Sequence, residues 1–193
     1  MADPYVYPGT VVLRNLAGLT DADALAHREA QASMLRLAQV AELGLEGDYD
    51  LSHLRAFHGV IFQDIYSWAG ELRSVPLAKP GSMFALPEHI QGFSKALLDG
   101  LAEEQHLRGL SRERFAERIT HYYAEINAVH PFRDGNGRAQ RAFLRQLALD
   151  AGHTLSWEHL DPGELIHASQ RSLQGDIAPM RGLIETVLDL PDR

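Results

Sequence analysis

The chain has 193 residues and a formal net charge of −8, a size that fits one domain and a charge that argues against broad, non-specific binding of nucleic acid. A hydrophobic fraction of 45% is enough for a core, and 23% charged residues is ordinary for a globular protein. There is no cysteine, which excludes disulfides, thiolate metal sites and a cysteine nucleophile.

No run of about 18 apolar residues occurs, so no membrane span is expected. The opening MADPYVYPGT lacks the basic and apolar segments of a signal peptide. Residues 1–18, with two prolines and two glycines, are expected to form an extended N-terminal arm. Thr20 with Asp23 resembles a capping box, and an amphipathic helix is expected over 21–43, ended by Gly44. Asp50 or Ser52 can cap a second helix, with Leu54, Phe57, Ile61 and Ile65 apolar at helical spacing.

Residues 71–86, ELRSVPLAKPGSMFAL, are broken by prolines and predict a β-hairpin or flap of about 14 residues. Pro87 suits the first turn of a helix to about 105. Ser111 can cap a helix over 112–129, with Phe115, Ile119, Tyr122, Tyr123 and Ile126 as its core face. Further helices are expected over 136–151, from Asp161 or Pro162 onward, and over 178–188. About seven helices and one hairpin make the class all-α.

Between two of these helices stands HPFRDGNGRAQR, residues 130–141. Pro131 stops the preceding helix, and the following one begins with backbone N–H groups that have no helical partner. Those donors, at the positive end of the helix dipole, make an anion site. Gly135 and Gly137 would let a phosphate approach the backbone, and Asn136 would add a neutral donor. Arg138 and Arg141, three apart, add two guanidiniums on one helix face. Asp134 beside such an anion suits Mg²⁺, which is commonly held by one or two carboxylates together with substrate phosphates. His130 supplies a base with a reference pKa of about 6.5. Phe132 is expected to anchor the loop in the core. The combination fits transfer of a phosphate-containing group from a nucleotide to a hydroxyl. No GxxxxGK[ST] occurs, so the chain is not a P-loop protein.

The string resembles the Fic signature HxFx[DE]GNGRxxR, matched by His130, Phe132, Asp134, Gly135, Asn136, Gly137, Arg138 and Arg141. The order of arm, helix, YSWAGELR at 66–73, flap and motif is similar to bacterial Fic toxins over most of the chain. The resemblance implies a single Fic domain over 1–193 and AMPylation, the Mg²⁺-dependent transfer of AMP from ATP to a Ser, Thr or Tyr hydroxyl of a protein. It implies His130 as general base, Asp134 as the Mg²⁺ ligand, and Asn136 with the 135–138 amides as the anion hole. Arg138 would then serve the β-phosphate and Arg141 the γ-phosphate. The flap, with Val75, Lys79 and Phe84, would clamp the target by strand addition.

Many Fic proteins are inhibited by a [ST]xxxE[GN] helix whose Glu pairs with the second motif arginine. Here the only Glu before Gly or Asn is Glu46, and Glu42 stands four residues earlier. The resemblance therefore implies a separate small antitoxin carrying that helix and reaching Arg141. Known targets of such free-standing toxins include the ATPase subunits of type II topoisomerases, and this target is carried over as an expectation. The expected location is the bacterial cytoplasm, or a host cell if the chain is part of a longer translocated effector. No direct nucleic-acid or membrane contact is expected.

The alternative is Doc-like phosphate transfer, whose motif resembles HPFxDANKR, or transfer of another nucleotide such as UMP. Gly135 and Gly137 stand where that motif has Ala and Lys. Blander readings hold elsewhere. Tyr122 and Tyr123 are expected in the core, as is Trp68 beneath the flap, and His53 and His58, five apart, do not suggest a metal site.

Overall fold

The computed structural model describes residues 3–79 and 82–190. Seven α-helices are found among them: α1 Ala22–Leu43, α2 Leu51–Phe62, α3 Pro87–Glu103, α4 Arg112–Val129, α5 Asn136–Asp150, α6 Pro162–Leu173 and α7 Ala178–Val187. Short 3-10 turns occur at Gln105–Leu107 and Trp157–His159. The all-α expectation holds.

Most helix starts follow the capping chemistry of the sequence. Asp50, Ser111 and Asp161 accept from the amides of His53, Arg114 and Glu164, and Pro87 opens α3. The first helix differs by one residue. Its cap is Asp21, accepting from Ala24 N at 2.8 Å, and not Thr20. A carboxylate caps an N-terminus at least as well as a threonine hydroxyl, and its charge also favours the helix dipole.

The arm is folded onto the body rather than extended from it. Val6 pairs with Leu13, Leu16 N donates to Ile65 O at 2.8 Å, and Tyr5 meets the edge of Trp68. Val12 and Leu13 are buried. Their apolar side chains explain why the segment is held down.

The core lies where α2, α4 and α5 meet, around Phe57, Ile61, Phe115, Ile119, Phe143 and Leu147, all fully buried. Each such side chain is worth about 1.5–3 kcal/mol of transfer free energy. α1 packs across α2 and α5. Its end is tied to α5 by Gln146, whose amide both accepts from Leu45 N and donates to Leu45 O at 2.8 Å.

The expected hairpin over 71–86 is much shorter. Antiparallel pairing covers two residues a side, β1 Ala78–Lys79 and β2 Ser82–Met83, with Ala78 opposite Met83. Pro80 and Gly81, and the side chain of Lys79, lie outside the described residues. The rest of the segment is fixed by other means. Phe84 is buried, Ala85 N donates to Ala128 O at 3.1 Å, and Arg73 is buried beneath it.

Candidate active site

α4 ends at His130, which adopts a left-handed conformation (φ 48°, ψ 63°) and donates its N–H to Ile126 O at 3.0 Å. That turn brings the chain out of the helix and sets the imidazole against the ring of Phe84, 3.7 Å between centroids and 12° apart in plane. The carbonyls at the end of α4 are gathered by Arg73. Its Nε donates to His130 O at 2.8 Å and its Nη2 to Val129 O at 3.2 Å. The same guanidinium donates to Val75 O at 2.8 Å and to Ala85 O at 2.5 Å. Burial pushes its pKa down, and the four carbonyls, two of them at the negative end of the α4 dipole, are the compensating environment. One arginine thus joins the base of the flap to the backbone of the candidate base.

Phe132 anchors the loop as expected, at 1% exposure, and stacks on His58 at 3.9 Å. His58 is fully buried. Its Nδ1 accepts from Gly70 N at 2.8 Å, so the proton sits on Nε2, which donates to Asp134 O at 2.9 Å. Burial pulls its pKa down to about 4. His53 likewise serves the backbone, accepting from Tyr49 N at 3.1 Å and bonding Leu45 O.

Asn136 lines the pocket and also has a structural role within the loop. Its Oδ1 accepts from Phe132 N and its Nδ2 donates to Phe132 O, both at 2.8 Å, and the residue is 6% exposed. The amide closes the loop into a ring. The glycines also have more local reasons than phosphate access. Gly135 has φ +75°, and a Cβ there would lie 2.3 Å from the ring of Phe62. A Cβ on Gly137 would lie 3.0 Å from Nη1 of Arg141, so its absence lets that guanidinium fold back toward the start of α5.

A 370 Å³ pocket opens over this loop. It is lined by residues 133–138 together with His130, Arg141, Phe84 and the flap residues Leu77 and Ala78. No side chain caps α5, whose first turn faces the pocket. Arg138 lies over the ring of Phe62 at 4.6 Å, pairs with Glu29 of α1 and donates to Ser33 Oγ at 3.1 Å. Arg141 is largely enclosed. Burial lowers its pKa, opposed by Tyr123 beside it, and its carbonyl accepts from Trp157 Nε1 at 3.0 Å.

Asp134 is the exposed carboxylate of the pocket mouth, 48% exposed and 3.8 Å from Nη2 of Arg138. Among the described residues no cluster of three or more His, Asp or Glu could hold a metal by itself. The donor set present, one open carboxylate beside a phosphate-sized nest, fits Mg²⁺ held jointly with substrate phosphates. Arg133, the unspecified position of the motif, is tied to the arm through Asp3 at 2.8 Å.

Arg138 and Arg141 also form part of the wall of a larger cleft of 970 Å³ between α1 and α5. Of the expected flap residues, Phe84 reaches the pocket, while Val75 is not among those lining it and serves through its carbonyl. The residues to which the sequence assigned no role at this site are Arg73, His58, Phe62 and Glu29. The signal for His58 was a polar residue within an apolar stripe of α2, and that for Arg73 was its place in YSWAGELR.

Residues 48–148, about half the chain, match the Fic/DOC family. The chain is 42% identical over 188 residues to a "Probable protein adenylyltransferase Fic" of Salmonella typhimurium, covering 96% of this chain and 92% of that one. It is 38% identical over 182 residues to the "Protein adenylyltransferase VbhT" of Bartonella schoenbuchensis, covering 94% of this chain but only 38% of that longer one. The fold is similar to that of the crystal structure of the BepC protein, a VirB-translocated effector of Bartonella tribocorum with bound AMPPNP. The TM-score is 0.91 at 28% identity, over 98% of this chain and 97% of that one. The chain belongs to the Fic/DOC family.

Proposed function

We propose that this protein is an adenylyltransferase, a single Fic domain over 1–193, that moves AMP from ATP to a Ser, Thr or Tyr hydroxyl of a target protein. The observation that carries the proposal is the convergence of His130, the uncapped start of α5 and two arginines on one pocket. His130 takes the proton of the attacking hydroxyl, whose oxygen bonds the α-phosphorus as the bond to the β-phosphate oxygen breaks and pyrophosphate leaves. The 135–138 turn receives charge on the α-phosphate through the amides of Asn136 and Gly137, since Gly135 N and Arg138 N already donate to Asp134 Oδ1 and Gly135 O, while Arg138 and Arg141 hold the β- and γ-phosphates. Mg²⁺, when held by Asp134 with the phosphates, supplies charge neutralisation. Nearby, the Ala78–Met83 pairing offers a strand edge to the target backbone. The names of the two relatives and the ATP analogue in the Bartonella neighbour support the donor assignment.

The biological setting we propose is that of a toxin restrained by a separate antitoxin. The 970 Å³ cleft supports it, because its wall includes Arg141 and its rim carries Met34, 69% exposed, and Leu43, 79% exposed. An amphipathic helix laid there would bring a Glu to Arg141. The target carried over from the resemblance is a type II topoisomerase ATPase subunit, with action in the bacterial cytoplasm. Among the described residues no helix is long and apolar enough to cross a membrane. The test is incubation with Mg²⁺ and a bacterial lysate, using ATP labelled at the α- or at the γ-phosphate. Protein bands labelled only from α, and absent with H130A, support adenylyl transfer. Labelling only from γ establishes the Doc-like kinase instead, and labelling only from UTP establishes another donor.

A further inference from the structure

One carboxylate outside the motif meets the phosphate machinery. Glu29 lies on α1, and both of its oxygens are engaged. Oε1 pairs with Nη2 of Arg138, and Oε2 accepts from the hydroxyl of Tyr66. Ser33, one turn further along α1, accepts from Nη1 of Arg138 at 3.1 Å. The ring of Phe62 supports the guanidinium from below at 4.6 Å. The side chains of Glu29 and Arg138 are 15% and 26% exposed.

Two helices, α1 and α2, thus fix an arginine that would otherwise sweep many rotamers. Glu29 does not line the 370 Å³ pocket, whereas Arg138 does. The Glu29 carboxylate therefore meets the guanidinium from outside the pocket, and the carboxylate that faces it within the pocket is Asp134, 3.8 Å from Nη2 and beyond direct hydrogen-bond reach. The support of Glu29 by Tyr66 keeps it from swinging there, since the phenol would lose its acceptor.

We infer that Glu29, with Tyr66 and Ser33, is a positioning residue that sets the guanidinium of Arg138 for the β-phosphate of the nucleotide. The inference rests on the assignment of Arg138 as a phosphate ligand under the proposed function.

The test titrates AMPPNP with Mg²⁺ into wild-type protein and into the Glu29→Ala, Glu29→Gln, Ser33→Ala, Arg138→Ala and Glu29→Ala/Arg138→Ala variants. Thermal melting is recorded for each. Glu29→Ala is expected to weaken AMPPNP binding about 10-fold and to lower kcat/KM about 10–100-fold, as loss of a supporting partner does. Glu29→Gln, which keeps the shape and loses the charge, is expected to recover part of the affinity. The double variant is expected to bind no worse than Arg138→Ala alone. Effects that add in the double variant overturn the proposal. So does a lowered Tm with unchanged affinity, which would make Glu29 merely structural. Tighter binding or faster transfer by Glu29→Ala overturns it as well, because the contact would then be inhibitory. Unchanged affinity in Arg138→Ala removes the premise. Nucleotide binding is read without any transfer step, so failure of the adenylyl-transfer reading remains distinguishable.

Discussion

The two walls of the pocket are built in opposite ways. Residues 130–141 are held from below by buried groups: Arg73 on the His130 carbonyl, His58 on the Asp134 carbonyl, and Asn136 across Phe132. The flap opposite pairs over two residues a side, with Met83 71% exposed and Ala78 also exposed. Phe84 sends a buried ring from the flap onto the opposite wall. Under the proposed function the difference separates two tasks. Charge stabilisation needs donors fixed before the reaction, and the loop that would carry them is braced by buried groups with two or more hydrogen bonds each. Recognition by a strand edge needs main-chain groups and little side-chain identity, so the flap can be short and exposed.

Removal of groups from the fixed wall should cost most. His130→Ala should lower the transfer rate by about 10²–10⁴-fold while nucleotide binding, followed by titration, stays close to wild type. Equal loss of binding and rate would mean that the imidazole holds nucleotide instead. Next comes Arg73→Ala, which strands four carbonyls and removes the tie between flap and motif. Denaturant unfolding should show a loss of about 3–5 kcal/mol.

His58 gives the wall a pH dependence. Its pKa in the fold is about 4, while the unfolded value is about 6.5. Its folded pKa is depressed, so the unfolded chain binds the proton first as pH falls. The stability it contributes is fully present above about pH 6.5 and is lost as pH drops toward 4, by ~3 kcal/mol in all. His58→Gln should flatten this portion, shrinking the stability difference between about pH 7.5 and pH 5 by roughly 2 kcal/mol. An unchanged slope would show that His58 is not the titrating group. The smallest effect belongs to the flap. Met83→Ser should move stability by less than about 0.5 kcal/mol, and a larger loss on unfolding would end the contrast between the walls.

The motif was legible because it is contiguous: each of its named residues meets the pocket or braces the loop. The helices were legible from caps and spacing, with an error of one residue at Asp21 where two capping residues adjoin. What sequence could not reveal comes from far along the chain. Arg73 reaches His130 across 57 residues, His58 reaches Asp134 across 76, and Glu29 reaches Arg138 across 109. No local periodicity encodes such pairs. Gly135 and Asn136 were legible as required residues but not for their reasons, since the ring of Phe62 and the backbone of Phe132 that explain them appear only on folding. The hairpin is shorter than the sequence suggests because proline and glycine mark a turn without saying how many residues pair beside it.

Under the proposed function this loop cuts ATP between its α- and β-phosphates. That cleavage is tested most directly by identifying what leaves the nucleotide when purified protein, Mg²⁺, ATP and a responsive target are mixed. Pyrophosphate released in step with target modification, and abolished by His130→Ala, is the predicted result. ADP as the released product would contradict the account.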